Sequence, residues 1–171
     1  RCLVGSEMCI RDSQKVVPAM FANNASATDI AKAYFEFYAD ENLYTGKLPY
    51  NWGLGDPWTA GVSVSVVNTS MLEQLAKSSS EIILKYIKGR QAIATSGILC
   101  YDCRSSKYYY DFDGLIRSLG SETSEYEAWK AAYDAAVVYW KTTPNNYSSY
   151  GGSFSMNGSA GLSTYIFRQS Y

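Results

Sequence analysis

The sequence predicts an α/β domain in which a mixed sheet is covered by helices, and three stretches carry that expectation. In Thr59–Tyr86, Val62, Val64 and Val66 alternate with Ser63 and Ser65, a period of two, before Leu72, Leu75, Ala76, Ile82, Ile83 and Tyr86 recur at helical spacing. Ser124 with Glu127 three residues on opens the clearest helix of the chain, whose stripe is Trp129, Ala132, Tyr133, Ala136, Val137 and Trp140. Near the end, Leu162, Thr164 and Ile166 alternate with Ser163, Tyr165 and Phe167 as in a short strand.

A chain of 171 residues holds one domain with a real core, and too little for two. Hydrophobic residues at 47% and charged ones at 18% exclude a disordered chain. A net charge of −1 with no basic stripe argues against nucleic acid as the main partner. No apolar run of about 18 residues exists, so no membrane span is expected, and the N-terminus shows no signal peptide. Sixteen tyrosines lean towards surfaces that meet ligands outside the cell. The absence of histidine is firmer, because it removes the usual general base at neutral pH and the commonest nitrogen ligand for zinc.

Taken in order, VVPAMF at 16–21 is broken by Pro18, which suits a chain entering a helix or ending a loop. Ser26 and Asp29 open a helix whose apolar stripe is Ile30, Ala31, Tyr34, Phe35 and Tyr38. Residues 40–58 form the longest loop-like segment. Its rings are candidates for lining a binding groove, with Trp52, Asp56 and Trp58 as weak substrate-binding candidates, although rings folded back over the core edge are the favoured reading. Asn68, Thr69 and Ser70 then offer caps to the second helix, Ser70 pairing with Glu73 as in a capping box. Gly89 is a stop for that helix, with residues 91–94 a continuation around a break.

In ILCYDC at 98–103, Cys100 and Cys103 make one C-x-x-C without the four ligands of a structural zinc. A local disulfide or two buried thiols is the better reading, and no metal site is assigned. Tyr108–Tyr110 form an aromatic edge leading into a short helix, where Asp111 and Asp113 favour the helix dipole without any catalytic role. Pro144 and Asn145 are the expected stop of the long helix, and Asn145–Gly158 reads as a loop.

Arg1–Ser13, RCLVGSEMCIRDS, resembles a translated sequencing adapter, which would leave Cys2 and Cys9 without biology; a genuine N-terminal arm is the alternative. Four further segments, IAKAYFEFY at 30–38, VSVSVVNTSMLEQLA at 62–76, YYYDFDGLI at 108–116 and GLSTYIF at 161–167, resemble in order and spacing the C-terminal part of the clostripain family of bacterial cysteine endopeptidases. The chain departs from the family pattern at Asn68, where Asp is frequent, and at Arg168, where Pro is common.

The resemblance implies a partial caspase-like α/β/α sandwich over residues 14–171, with few strands and several covering helices. It also implies a nucleophilic Cys assisted by a His, since a thiol with a pKa near 8.5 is mostly protonated at neutral pH. The family's His-Gly and Asp-Ala-Cys motifs occur nowhere in the chain, so both catalytic residues are expected upstream of it and none within it. The expected whole is a secreted or cell-envelope endopeptidase acting on peptides or proteins after Arg or Lys, with this piece inactive alone. No cofactor is identifiable from the residues; calcium enters by family resemblance only, with no clustered Asp/Glu loop to hold it. A non-catalytic surface binding protein with an aromatic ligand face and a stand-alone structural domain are the other readings. If the chain is truncated, the strand at 62–67 should show unmet pairing partners, which the missing neighbours would supply.

Overall fold

Helices open near the stretches where the apolar spacing predicts them, but not all of that spacing is helical, and strands appear in places where it does not predict them. The computed structural model describes residues 15–39, 61–87, 92–101, 107–120, 123–148 and 152–166. After a helical segment at 15–21, the elements are α1 (Ala27–Tyr38), β1 (Ser63–Val67), a 3₁₀ turn (Thr69–Met71), α2 (Leu72–Tyr86), β2 (Tyr109–Asp111), α3 (Phe112–Gly120) and α4 (Ser124–Ala136). They are followed by β3 (Val137–Thr142), β4 (Asn145–Ser148), β5 (Gly152–Ser155) and β6 (Ser163–Tyr165). Mixed helix and strand with small sheets is the architecture.

The predicted α1 begins at its predicted cap: Ser26 Oγ accepts the Asp29 N–H at 3.2 Å, and Asp29 Oδ2 accepts the Ser26 N–H at 3.0 Å. Its stripe lies half-buried against β1 and β3, with Tyr38 fully covered. The expected Ser70–Glu73 box is not what starts α2. Asn68 instead caps a 3₁₀ turn, its Oδ1 accepting the Ser70 N–H at 3.2 Å, and the α-helix continues from that turn. Similarly, α4 is capped by Thr123 rather than Ser124, one residue earlier, through the Tyr126 N–H at 3.2 Å.

The described strands form three two-stranded antiparallel sheets, β1–β3, β2–β6 and β4–β5. In the first, Ser63 lies opposite Thr142 and Ser65 opposite Trp140, and a bulge between Val66 and Val67 brings Val67 opposite Val137. Here the structure corrects the sequence reading. Val137 and Trp140 are not part of α4, which ends at Ala136; they belong to β3, whose β-branched and aromatic residues pair with β1. Nor is 145–158 a plain loop, since β4 and β5 make a hairpin inside it. Residues 92–95 are not helical. Among the described residues β1 is paired along one edge only.

The main core lies between α2, α3 and α4, where Leu75, Ile82, Ile116, Tyr126, Trp129, Ala132, Tyr133 and Ala136 pack together. Ala76 and Leu72, assigned to the apolar stripe by spacing, are exposed. Beside buried Leu75 and Ile82, one buried position of α2 is polar: Ser79 donates to Leu75 O at 2.6 Å and accepts the Trp129 indole N–H at 2.7 Å. A second cluster of Ile98, Tyr110, Leu115 and Ile166 lies under the β2–β6 pair.

Candidate functional site

The chemistry-bearing groups converge where β2 runs directly into α3. The strand ends on Asp111, which precedes the helix and accepts the Gly114 N–H on Oδ1 at 2.7 Å, as an N-cap does. Its Oδ2 accepts the Tyr101 hydroxyl at 2.6 Å and the Ala160 N–H at 2.8 Å. The Tyr133 hydroxyl reaches the same loop, donating to Ala160 O at 2.9 Å and accepting the Leu162 N–H at 3.1 Å. Two residues on, Asp113 accepts the Tyr126 hydroxyl at 3.0 Å and pairs with Arg117.

Both carboxylates are sealed from solvent, Asp111 at 0% exposure and Asp113 at 1%. Burial pushes the Tyr101 phenol far up, and its hydrogen bond to Asp111 adds to the shift. Tyr133 is also raised, first by burial and then by the nearby Asp111 charge. Hydrogen bonding to Tyr126 and the Asp113 charge hold Arg117 in its charged form. These groups stay fixed as donors and acceptors for one another. The arrangement ties the 99–101 segment, α3, α4 and the 159–162 loop together, and its oxygens are occupied by the chain's own donors.

The opposite surface of β2–β6 faces water. Tyr109 lies across from Tyr165, both largely exposed, and the Tyr108 ring stacks on Tyr165 with centroids 6.2 Å apart. This ledge was not singled out as a ligand face from sequence, although the run Tyr108–Tyr110 and the alternation at 162–167 are the signals that point to it. Trp52, Asp56 and Trp58, the substrate-binding candidates, lie outside the described residues, as do Cys103 and residues 1–13. Cys100 is half-buried and its backbone bridges to Tyr110. The chain contains no histidine, so no Cys–His pair can form within it. Among the described residues no group of three or more His, Cys, Asp or Glu is placed to hold a metal ion, and no helix is long and apolar enough to cross a membrane.

No protein-family model and no curated protein matches the chain. Solved structures do. A cysteine protease of B. fragilis is 44% identical with a TM-score of 0.78, over 92% of this chain and 63% of its own. A secreted C11 cysteine protease from Bacteroides thetaiotaomicron, solved with an irreversible peptide inhibitor, is 37% identical with a TM-score of 0.72, over 91% of this chain and 42% of its own. A clostripain from the same species, at 16% identity and a TM-score of 0.70, shares the fold over 90% of this chain and 60% of its own. The chain therefore spans less than two thirds of the length of these proteins. Sequence and fold agree along almost all of its length, and on both grounds the chain belongs to the clostripain, or C11, family of cysteine proteases.

Proposed function

We propose that this chain is the C-terminal portion, over residues 14–171, of a secreted or cell-envelope cysteine endopeptidase that cleaves peptides after Arg or Lys. Residues 1–13 are adapter-derived in this reading. The observation that carries it is the 44% identity to the B. fragilis protease across 92% of this chain but only 63% of that one, in a sequence without histidine. A strand paired on one edge among the described residues is in keeping with a sheet continued by a preceding part of the protein. The upstream part supplies the dyad: a Cys thiolate attacks the scissile carbonyl, the His takes and returns the proton, and backbone N–H groups stabilise the oxyanion.

The peptide inhibitors held by two related proteins support a peptide substrate. One of those inhibitors, BTN-VLTK-AOMK, carries a Lys, in line with a basic residue before the cut. The related C11 protease of B. thetaiotaomicron is a secreted protein, which supports export. Calcium dependence is carried by family likeness alone.

The test has two arms. The 171-residue chain alone should leave arginyl and lysyl fluorogenic peptides uncut, and the same chain joined to its upstream reading frame should cleave them. Cleavage by the chain alone overturns the division of labour. An upstream frame lacking both His-Gly and Asp-x-Cys overturns the peptidase reading in favour of a binding protein.

A further inference from the structure

One turn couples an exposed, chemically labile dipeptide to the buried Asp111. Between β5 and β6 the chain reads Met156-Asn157-Gly158-Ser159-Ala160, and Asn157–Gly158 is the one Asn-Gly pair in the sequence. The turn closes through the Ser159 N–H on Met156 O at 3.1 Å, with Gly158 at φ +86° in its third position. Asn157 and Gly158 are exposed, and a Cβ at Gly158 would meet nothing within 4 Å. Neither the Asn157 side-chain amide nor the Gly158 N–H has a hydrogen-bond partner among the described residues.

The other capping or sheet-bound asparagines are held differently. Asn68 accepts from Ser70, and Asn146 donates to Ser63 and accepts from Thr143; both precede a residue with a bulky side chain.

We propose that Asn157 is a self-modification site that converts to isoaspartate. The Gly158 backbone nitrogen, losing its proton to solvent base, attacks Asn157 Cγ; the new C–N bond forms as Nδ2 leaves as ammonia, giving a succinimide. Water then opens the ring. Attack at the side-chain carbonyl yields Asp, and attack at the main-chain carbonyl yields isoaspartate, whose main chain runs through an extra carbon. Glycine at the following position exposes the attacking nitrogen, since it carries no Cβ to screen it.

The extra carbon falls inside a turn whose neighbours are tightly tied. Met156 is buried and its N–H bonds Pro144 O at 2.9 Å; Ser159 O accepts the Trp140 indole at 3.2 Å; the Ala160 N–H holds Asp111 at 2.8 Å. Lengthening the main chain at 157 therefore loosens the Ala160–Asp111 bond, so surface ageing is transmitted to a buried carboxylate.

The experiment incubates the full 171-residue chain at neutral and mildly alkaline pH. It follows the tryptic peptide between Lys141 and Arg168 by mass spectrometry, with fragmentation to separate Asn157 from Asn145 and Asn146 and an isoaspartyl methyltransferase to identify the product. The expected result is an amide-to-acid mass gain at Asn157, mostly isoaspartate, faster at alkaline pH and faster than at Asn146 by roughly an order of magnitude, as the unscreened glycine nitrogen predicts. Asn157→Gln should abolish the gain, and the purified isoaspartyl form should unfold at a lower denaturant midpoint than the unmodified chain. Retention of the Asn157 amide while a free Ser-Met-Asn-Gly-Ser-Ala peptide converts overturns the proposal, as does equal conversion at Asn146. An unchanged unfolding midpoint overturns the link to Asp111.

Discussion

Asp111 gathers donors from three separate segments of the chain, and its removal strands all of them. Asp111→Ala leaves the Tyr101 hydroxyl and the Gly114 and Ala160 N–H groups without their acceptor in a sealed site. The expected loss is about 3 kcal/mol or more, read as a lower urea midpoint, since each stranded buried donor costs about 1–3 kcal/mol. Asp111→Asn should lie between, because one carboxylate oxygen becomes an NH₂ group that faces donors; equality with the parent chain would contradict the hub. The phenols add a pH dependence. Tyr101 and Tyr133 are both raised, chiefly by burial, so the fold favours their neutral forms. Their contribution to stability is complete below the ordinary tyrosine value of about 10 and is lost as pH rises beyond it. Tyrosinate absorbance should consequently show a late-titrating fraction that appears together with unfolding, and Tyr133→Phe should shrink it. The sequence does place Asp111 and Asp113 as partners of a helix start. It does not reveal that Asp111 is buried, because Tyr101 and Ala160 lie 10 and 49 residues away in the chain.

At the scale of elements, two contacts decide how the helices and ribbons sit. Ser79 is the polar plug of the α2–α4 interface, where it satisfies the Trp129 indole. Ser79→Ala should destabilise the chain by about 1–3 kcal/mol by leaving a buried N–H unpaired, measured by denaturant unfolding. A neutral result would mean that the indole finds another partner. Gly61, at φ +74°, lies where β1 meets the turn into β4: an added Cβ would come 2.2 Å from Asn145 O. Gly61→Ala should therefore be worse than a usual glycine substitution, by about 1–3 kcal/mol for the backbone conformation alone with the clash in addition. The outcome is checked by solubility and by the loss of the Thr143–Val62 hydrogen bonds, 2.9 Å in both directions, in hydrogen exchange. The start of α1 is legible because its cap, Ser26 with Asp29, acts over three residues. The end of α4 is not. Val137–Trp140 satisfies helical spacing as well as strand spacing, and the choice falls to the strand because β1 offers it a partner some 70 residues earlier in the chain.

For the whole molecule, the described part is a helical core flanked by three short ribbons, with large apolar side chains such as Phe21 and Leu84 left 82% and 75% exposed. In an antiparallel pair alternate backbone amides point away from the partner. Within β1, the amides directed away from β3 should exchange quickly in the lone chain and, on the proposed reading, slow in a longer chain that carries the upstream reading frame; uniform protection in the lone chain would argue for a self-contained domain. From the sequence alone come the α/β class, helices opening near 26, 70 and 124, strands over 62–67 and 161–167, the lack of any histidine and the likeness to clostripain-type peptidases. The class, helices and strands rest on local periodicity, short-range caps and composition, which act over a few residues or need no contacts at all; the likeness rests on the order and spacing of the four matched segments. The β3 pairing, the 145–155 hairpin, the burial of Ser79 and the sealing of Asp111 were decided only by the tertiary structure. Each depends on a partner distant in sequence, whose approach local spacing does not encode.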